Sequence, residues 1–419
     1  AWRSAPAEAI HPVHDAWAVL RQAPQHAPRD RAELRLQLLL AARLIATEGY
    51  GAQRVERVYA RAMELAKALG DDAALMKILL GLEGYHFMRA DFAKAQEHAL
   101  DAGARAGRKG GAIHGIQARW AQANILMHQG ELAAAVPQMD ACRAEYDRLE
   151  HRPEAVQDPG VMCLSYSAWS LWELGYPDQA LQRVLAVVVR AEQLKHKFSI
   201  GEAYGFRAAV QHFRGENRAA LESAERAIEI CEEGGFSVWL AHARIMRGRL
   251  LAEAGEAAAG IEEMREAYEL WAATGAVVTT PFYLAMRAEG LALGGRPDEG
   301  IGLLEQALSI VKRTGERYYE AEIRRLMGQL ILQGAGHERH AEAEAWLREA
   351  HECARERKLL SLSLRCAISL AELWIALGRH AQAVEVLRPA YRAIGEGAGP
   401  RDLVRARECL AAAGEAVPH

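Results

Sequence analysis

A forty-residue repeat runs through most of this 419-residue sequence and constrains its fold more than any other feature. Small residues recur at one position of each unit, and a second small or apolar position follows seven residues later. The first position holds Val55, Ala95, Ala135, Ala180, Ala220, Gly260, Gly300, Ala343 and Ala383, and the second holds Ala62, Ala102, Cys142, Val187, Ala227, Ala267, Ala307, Ala350 and Ala390. Self-similarity at a fixed period is the signature of a stacked repeat architecture.

Each unit is predicted to be a pair of antiparallel helices. Small residues let two helix backbones approach closely, and apolar residues three, four and seven apart give each helix a buried stripe. Gly175-Tyr-Pro-Asp and Gly295-Arg-Pro-Asp place glycine beyond one helix and proline at the start of the next. We expect turns within the pairs near Arg89–Asp91, Gly130, Gly175, Gly215, Gly255, Gly295 and Gly378.

One such pair cannot bury its apolar face alone, so the units must stack. Small residues at these positions are the mark of tetratricopeptide repeats, although that repeat has about 34 residues. We therefore predict an all-α fold, a right-handed superhelical solenoid of about nine tetratricopeptide-like helix pairs. The predicted boundaries are an irregular lead-in or cap over 1–30, the repeat domain over 31–398, and a capping helix and tail over 399–419. The repeat departs from forty residues at two predicted loops, 150–160 and 333–340.

Composition excludes several classes of function. The net charge is −4, with acidic and basic residues interspersed, which is unlike the basic stripe of a nucleic-acid binder. No apolar run is long enough to span a membrane. Six cysteines are scattered without a C-x-x-C pair, which favours the reducing cytoplasm. The sequence begins at Ala1 without methionine, so we expect a piece of a longer chain.

Three stretches, at 46–69, 157–181 and 313–332, resemble the C-terminal repeat region of large bacterial proteins. Those proteins combine a class III adenylate/guanylate cyclase domain, a signalling ATPase domain and a helical repeat tail. The resemblance covers most of residues 32–410 and implies a regulatory or sensory tail, with catalysis assigned to domains outside this sequence. A weaker likeness is to the sugar-sensing repeat domain of maltotriose-responsive transcription activators.

Few residues point to chemistry. His11 and His14, and His337 and His340, are spaced like metal ligands, but a structural zinc site needs four. The sequence contains no phosphate-binding loop, and Gly107-Arg-Lys-Gly-Gly lacks the required spacing. No nucleophile and base can be assembled, so we predict no catalytic residue, no metal and no cofactor.

The better candidate is a concave groove lined by the first helix of each pair. Transferring the tetratricopeptide frame places these residues on it: Trp120, Asn124, Trp169, Trp172, His212, Phe213, Arg249, Glu289, Arg325 and Gln329. Tryptophan and arginine commonly anchor binding partners. The alternative is that the tryptophans pack between repeats, and the resemblance favours this for Trp172.

The favoured function is a non-catalytic module of a cytoplasmic signalling protein. Its groove would bind a protein or peptide partner, or the ATPase and cyclase domains of its own chain. The alternative is a sensor whose groove closes on a small ligand. A deep pocket with an aromatic floor would favour the small ligand, whereas an open trough would favour a peptide or domain.

Overall fold

A computed structural model of the chain describes residues 27–109, 111–149, 157–396 and 401–415. Every regular element in these ranges is helical, and the helices form nine consecutive pairs followed by one single helix. The helices are α1 Ala27–Glu48, α2 Gln53–Leu69, α3 Asp72–Met88, α4 Phe92–Lys109, α5 Ala112–His128, α6 Leu132–Asp147, α7 Pro159–Glu173, α8 Pro177–Leu194, α9 Lys197–Arg214, α10 Asn217–Gly234, α11 Ser237–Glu253, α12 Ala257–Ala273, α13 Thr280–Leu293, α14 Pro297–Thr314, α15 Glu320–Ala335, α16 His340–Glu356, α17 Leu360–Ala376, α18 His380–Ala393 and α19 Arg401–Ala412. Odd numbers up to α17 are the first helices of the pairs, and even numbers are the second. The predicted all-α solenoid is confirmed.

The repeat frame describes the packing inside each pair. Ala95, Ala227 and Ala267 are completely buried, as the frame requires of helix crossings. In the sixth pair the approach is closer still, because a Cβ atom on Gly260 would lie 2.2 Å from the carbonyl oxygen of Gly248. Only glycine fits there, since such a distance is far below van der Waals contact.

The turns within the pairs lie where the glycines indicate. The predicted glycines that follow the first helices have left-handed backbone angles, with φ of 86° at Gly130 and 75° at Gly295. Glycine adopts this conformation without the steric cost that a Cβ imposes. The 89–91 turn instead uses Ala90, whose φ is 56°.

The eighth pair differs from its prediction. A loop was expected over 333–340, but α15 continues to Ala335 and a 3-10 turn, Gly336–Arg339, leads directly into α16. The three additional residues are therefore absorbed mainly by helical structure. The predicted 150–160 loop lies largely outside the described residues, and α7 begins at Pro159.

The chain separates into two compact units. The first comprises the described residues up to Ile125 together with Leu270–Val278, and the second comprises Leu126–Glu269 together with the described residues from Thr279. In the first unit, the backbone amide of Val277 donates to the carbonyl oxygen of Met88 at 2.7 Å, at the end of α3.

The second unit repeats that connection twice. The amide of Arg317 donates to the carbonyl of His128 at 2.7 Å, and the hydroxyl of Ser361 donates to the carbonyl of Trp172 at 2.5 Å. Donor and acceptor are 189 residues apart in the Ser361 pair, and the same separation holds for the backbone pairs at His128 and Met88. The last carbonyls of a helix have no partner within it, so these bonds satisfy acceptors that the helix leaves open. Within the second unit, the first helices of early repeats therefore pack directly against those of late repeats.

None of the described helices has the length and hydropathy needed to cross a membrane.

Candidate functional site

The predicted groove aromatics of the second unit lie in its interior. Trp169 contacts Phe213 with ring centroids 5.0 Å apart and Phe282 with centroids 4.9 Å apart. Phe213 in turn stacks on Trp172 at 4.4 Å. Trp169, Trp172 and Phe213 are all buried. We call the set Trp169, Trp172, Phe206, Phe213, Phe282 and Tyr318 the aromatic core.

The aromatic core contains polar groups with defined partners. The indole N–H of Trp169 donates to the carboxyl of Glu173 at 2.7 Å, and the guanidinium of Arg365 lies 4.7 Å from the ring centroid of Trp172. Complete burial raises the pKa of Glu173 well above its usual range. These predicted residues therefore occupy a packed interior, and a binding role for them stays a prediction.

Arg249, Glu289 and Gln329 line an open trough of about 550 Å³. His212 lies nearby, 4.0 Å from Glu253, which binds Arg249. The trough lies between the C-terminal halves of α13, α15 and α17. Leucine and alanine side chains form its apolar surface, namely Ala292, Leu293, Leu326, Leu330, Leu332, Leu373, Ala376 and Leu377. Its polar wall comprises Arg249, Glu289, Gln329, Gln333, His340, Ser369 and Glu372. We call this cavity the trough.

Two of the leucines in the trough are unusually exposed. Leu293, the last residue of α13, is 50% exposed, and Leu377, directly after α17, is 40% exposed, although the other apolar residues of these two helices are mostly buried. Exposed apolar surface around a concavity is typical of a binding site. The apolar surface contains no phenylalanine, tyrosine or tryptophan.

The polar wall is held by ion pairs. Arg249 donates from Nε to Glu289 at 3.2 Å and from Nη1 to Glu253 at 2.9 Å. Arg325 is bidentate on Glu322, at 2.7 and 2.8 Å, and also donates to the side chain of Gln329. These contacts position Gln329 and Glu289 at the surface of the trough.

Ser369 closes the wall between α15 and α17. Its hydroxyl accepts from the amide of Gln329 at 3.1 Å and from Arg325 at 3.4 Å, and it donates to the carbonyl of Arg365 at 3.1 Å. Three of the predicted residues, Arg249, Glu289 and Gln329, thus line one cavity. Arg325 lies outside the lining and holds Gln329 in place by donating to its side chain.

Electrostatics fix the charge state of this wall. Burial alone would raise the pKa of Glu289, but the guanidinium groups of Arg249 and Arg325 outweigh burial and hold it at about 2. Burial and the neighbouring Arg249 lower the pKa of His212 to about 3. At neutral pH the carboxyl group is therefore ionised and the imidazole is neutral. The arginine and the two carboxylates of the wall are each paired with an opposite charge, Arg249 with Glu289 and Glu372 with Arg405 of α19.

The remaining predicted residues, Trp120 and Asn124, belong to the first unit. Both lie on α5 and are buried there. The structure therefore separates the sequence-predicted set into three groups, which are the aromatic core, the trough and this pair.

Sequence reasoning missed the ninth-repeat side of the trough, although the repeat frame contained it. Ala371 precedes Ala383 by twelve residues, as Gly248 precedes Gly260, so Ala371 is the small first-helix residue of the ninth repeat. One and five residues after it come Glu372 and Ala376, both of which line the trough. The same offsets from Ala288 give Glu289 and Leu293.

In the part of the chain that the structure describes, no three histidine, cysteine, aspartate or glutamate side chains gather as they would around a metal ion. His340 lines the trough. His11 and His14 lie outside the described residues, as does the side chain of His337.

Comparison with known proteins agrees with the fold. A tetratricopeptide repeat model matches residues 116–141 and 364–389. The crystal structure of a Rap protein complexed with competence and sporulation factor is similar, with a TM-score of 0.59 at 12% identity over 91% of this chain and 99% of that chain. NprR in complex with its cognate peptide NprX has a TM-score of 0.53 at 13% identity over 86% of this chain and 98% of that chain.

One curated relative matches by sequence. It is uncharacterized protein R02095 of Rhizobium meliloti (strain 1021), which is 24% identical over 345 residues, or 80% of this chain and 33% of that protein. This chain thus spans about a third of the length of the relative. Together the matches identify tetratricopeptide-like repeats in an all-helical fold. At these identities the similar structures inform the fold alone.

Proposed function

We propose that this chain is a non-catalytic regulatory module that binds a peptide segment of a protein partner in the trough. The observation that carries the proposal is the combination of two exposed leucines, Leu293 and Leu377, with a polar wall whose charges are paired, in one concavity. The leucines provide apolar contact, and the glutamine and serine side chains provide hydrogen bonds.

The pairing of these charges identifies the chemistry of the partner. Arg249 is shared between Glu253 and Glu289, and Arg325 is paired with Glu322. A strongly ionic ligand would have to displace one of these partners and leave it buried without a counter-ion, at a cost of several kcal/mol (about 3–5). The trough therefore favours a segment with apolar side chains and a hydrogen-bonding backbone.

An apolar peptide fits better than a compact small ligand. The apolar surface of the trough is formed by leucine and alanine without a large aromatic ring, and it opens to solvent between three helices. Two solved structures with a similar fold are complexes, a Rap protein with competence and sporulation factor and NprR with its cognate peptide NprX. Those ligands belong to those proteins. For this chain they support only the proposed class of partner, a peptide.

The module is proposed to serve a longer protein. The curated relative is about three times as long as the region it shares with this chain. A segment of the same polypeptide, such as part of an ATPase or cyclase domain, would then reach the trough as readily as a separate partner. The catalytic steps would belong to those domains.

The test begins with selection of random phage-displayed peptides on the purified chain. The affinity of an enriched peptide is then measured by fluorescence polarisation for the wild type and for Leu377→Glu. We expect the substitution to weaken binding by about tenfold or more, which is about 1.4 kcal/mol, because it places a charge against the apolar part of the ligand.

Leu185→Glu is the matched control. Leu185 lies on α8 with 42% exposure, close to the 40% of Leu377, but it does not line the trough. We expect this variant to bind within twofold of the wild type. Failure to enrich any peptide whose affinity depends on Leu377 would overturn the proposal, as would equal losses in the two variants.

A further inference from the structure

The last helix, α19, attaches to the second unit in two ways. Its apolar face, comprising Leu403, Ala406, Cys409 and Leu410, is buried in a cluster with residues of α17 and α18. Its polar first turn instead reaches other first helices. The two attachments differ physically, because apolar packing is nondirectional whereas ion pairs require particular geometry.

Three ion pairs fasten the polar side of α19. Arg401 Nη1 lies 2.6 Å from Glu253 on α11, and Asp402 Oδ2 lies 2.7 Å from Nε of Arg365 on α17. Arg405 pairs with Glu372, also on α17. The first turn of α19 therefore bridges the sixth and ninth repeats.

Each of these pairs leads to the wall of the trough. Glu372 lines the trough itself, and Glu253 also binds Arg249, which lines it. The third route is longer. From Asp402 it passes through Arg365 to Glu322 at 3.1 Å, then to Arg325, which donates to the side chain of Gln329.

We propose that α19 is the responsive element of the trough, and that occupancy of the trough and docking of the first turn of α19 are coupled through these shared ion pairs. The two states are α19 docked, as in this structure, and α19 released from its first turn through Cys409. This inference rests on the proposed function, because it assigns the peptide site its regulation.

The coupling has a definite sense. Release of α19 removes one partner each from Glu253, Arg365 and Glu372, so their side chains lose the positions that shape the wall. A peptide that contacts Gln329, Arg249 or Glu372 in their present positions therefore binds the docked state better. By linkage it holds α19 in place by the same factor.

Cys409 offers a probe of docking that needs no ligand. Its thiol lies on the buried face of α19, with Sγ 3.8 Å from Glu372 Oε1. Burial raises the pKa of the Cys409 thiol to about 11, so the reactive thiolate is scarce in the docked state. Alkylation by N-ethylmaleimide, resolved for this cysteine by peptide mass spectrometry, reports release of the helix.

The experiment is a double-mutant cycle on the full chain. Gln329→Ala alters the wall of the trough, and Asp402→Asn weakens the attachment of α19 while keeping its shape. If the ion-pair route couples them, the effects on the alkylation rate of Cys409 combine non-additively by about threefold or more. Far-UV circular dichroism confirms that each variant is folded.

Gln333→Ala combined with Asp402→Asn is the control cycle. Gln333 also lines the trough, but its side-chain amide donates to the carbonyl of Ala292 at 2.8 Å and lies outside the three routes. We expect additivity in this cycle. Additivity in both cycles overturns the proposal, and so does equal non-additivity in both, which indicates general loosening. Because the cycles use no peptide, their failure is distinct from failure of the proposed function.

Discussion

The helix α13 belongs to two regions of opposite character, and the contrast separates what the repeat frame determines from what it leaves open. Near its start, Phe282 is fully buried in the aromatic core, whereas near its end Leu293 is 50% exposed in the trough. About 16 Å of one helix, at about 1.5 Å per residue, connects the two. The repeat frame is the same in both regions, so it does not determine which region is closely packed and which stays open to solvent.

Side-chain content explains the difference. At the aromatic core, rings from distant repeats meet directly, as Trp169 and Tyr318 do with centroids 6.0 Å apart. At the trough, the corresponding positions hold leucines, glutamines and charged groups. Buried ion pairs such as Arg325 with Glu322 hold these side chains in place through their mutual charge. They do not fill the space between the helices as the aromatic rings do. The aromatic core is therefore closely packed, and the trough leaves apolar surface exposed.

The contrast predicts its largest effect at Phe213. Phe213→Ala should lower the free energy of unfolding by about 3–5 kcal/mol, because it leaves a cavity against Trp169 and Trp172. Leu377→Ala should cost less than about 1 kcal/mol, since that side chain is already 40% exposed. Urea unfolding followed by circular dichroism measures both. Similar costs would show that the two regions pack alike.

Much of the architecture could be predicted from local pattern. The small residues at helix crossings, such as Ala227, are buried as predicted, and the turns at Gly215 and Gly255 lie where they were expected. A C-terminal capping helix and tail were expected over 399–419, and α19 lies within that range. These features depend on residues a few positions apart, which is why periodicity suffices for them.

The aromatic core could not be predicted in this way. Its contacts join Trp169 on α7 to Phe282 on α13, three repeats later in the chain. Such contacts depend on how far each repeat rotates against the next, and no local spacing encodes that rotation. The predicted groove residues were therefore identified by position, while their separation into a core and a trough required the tertiary structure.

The second prediction tests what the two regions share. Ala227 lies in the fifth repeat and Ala350 in the eighth, and both are completely buried at frame positions. Replacing either with leucine should overpack a helix crossing and cost about 1–3 kcal/mol. Ala267→Leu in the sixth repeat should cost a similar amount. Urea unfolding again provides the measurement.

Glu305→Ala is the control for these substitutions. Glu305 is exposed on α14, and its loss should change stability by less than about 0.5 kcal/mol. If the leucine variants unfold at the wild-type urea concentration, the crossings are looser than the frame requires. A large cost in the fifth repeat alone would show that the frame itself differs between the core and the trough.

The last predicted effect is a difference in pH dependence between two buried carboxyl groups. Burial raises the pKa of Glu316, beside the aromatic core, to about 8, although the amide of Thr279 donates to it. Glu289, at the trough, is held at about 2 because its arginine neighbours outweigh burial. The two groups should therefore respond to pH in opposite senses.

The sign follows from proton linkage. Between an unfolded pKa of about 4.3 and the folded value, Glu316 binds a proton only in the folded state, so stability falls as pH rises. Glu316→Gln removes this titration, so the stability of the variant relative to the wild type should rise by about 1.4 kcal/mol for each pH unit between pH 5 and 7.

Glu289 is ionised in both the folded and the unfolded state throughout that window, and its contribution to stability is lost only as pH falls from about 4.3 towards the folded pKa. Glu289→Gln should therefore destabilise the protein by an amount that stays constant from pH 5 to 7. Urea unfolding at pH 5, 6 and 7 measures both differences. A Glu316→Gln difference that does not change with pH would mean that this carboxyl is ionised in the folded protein, and the electrostatic contrast between the core and the trough would fail.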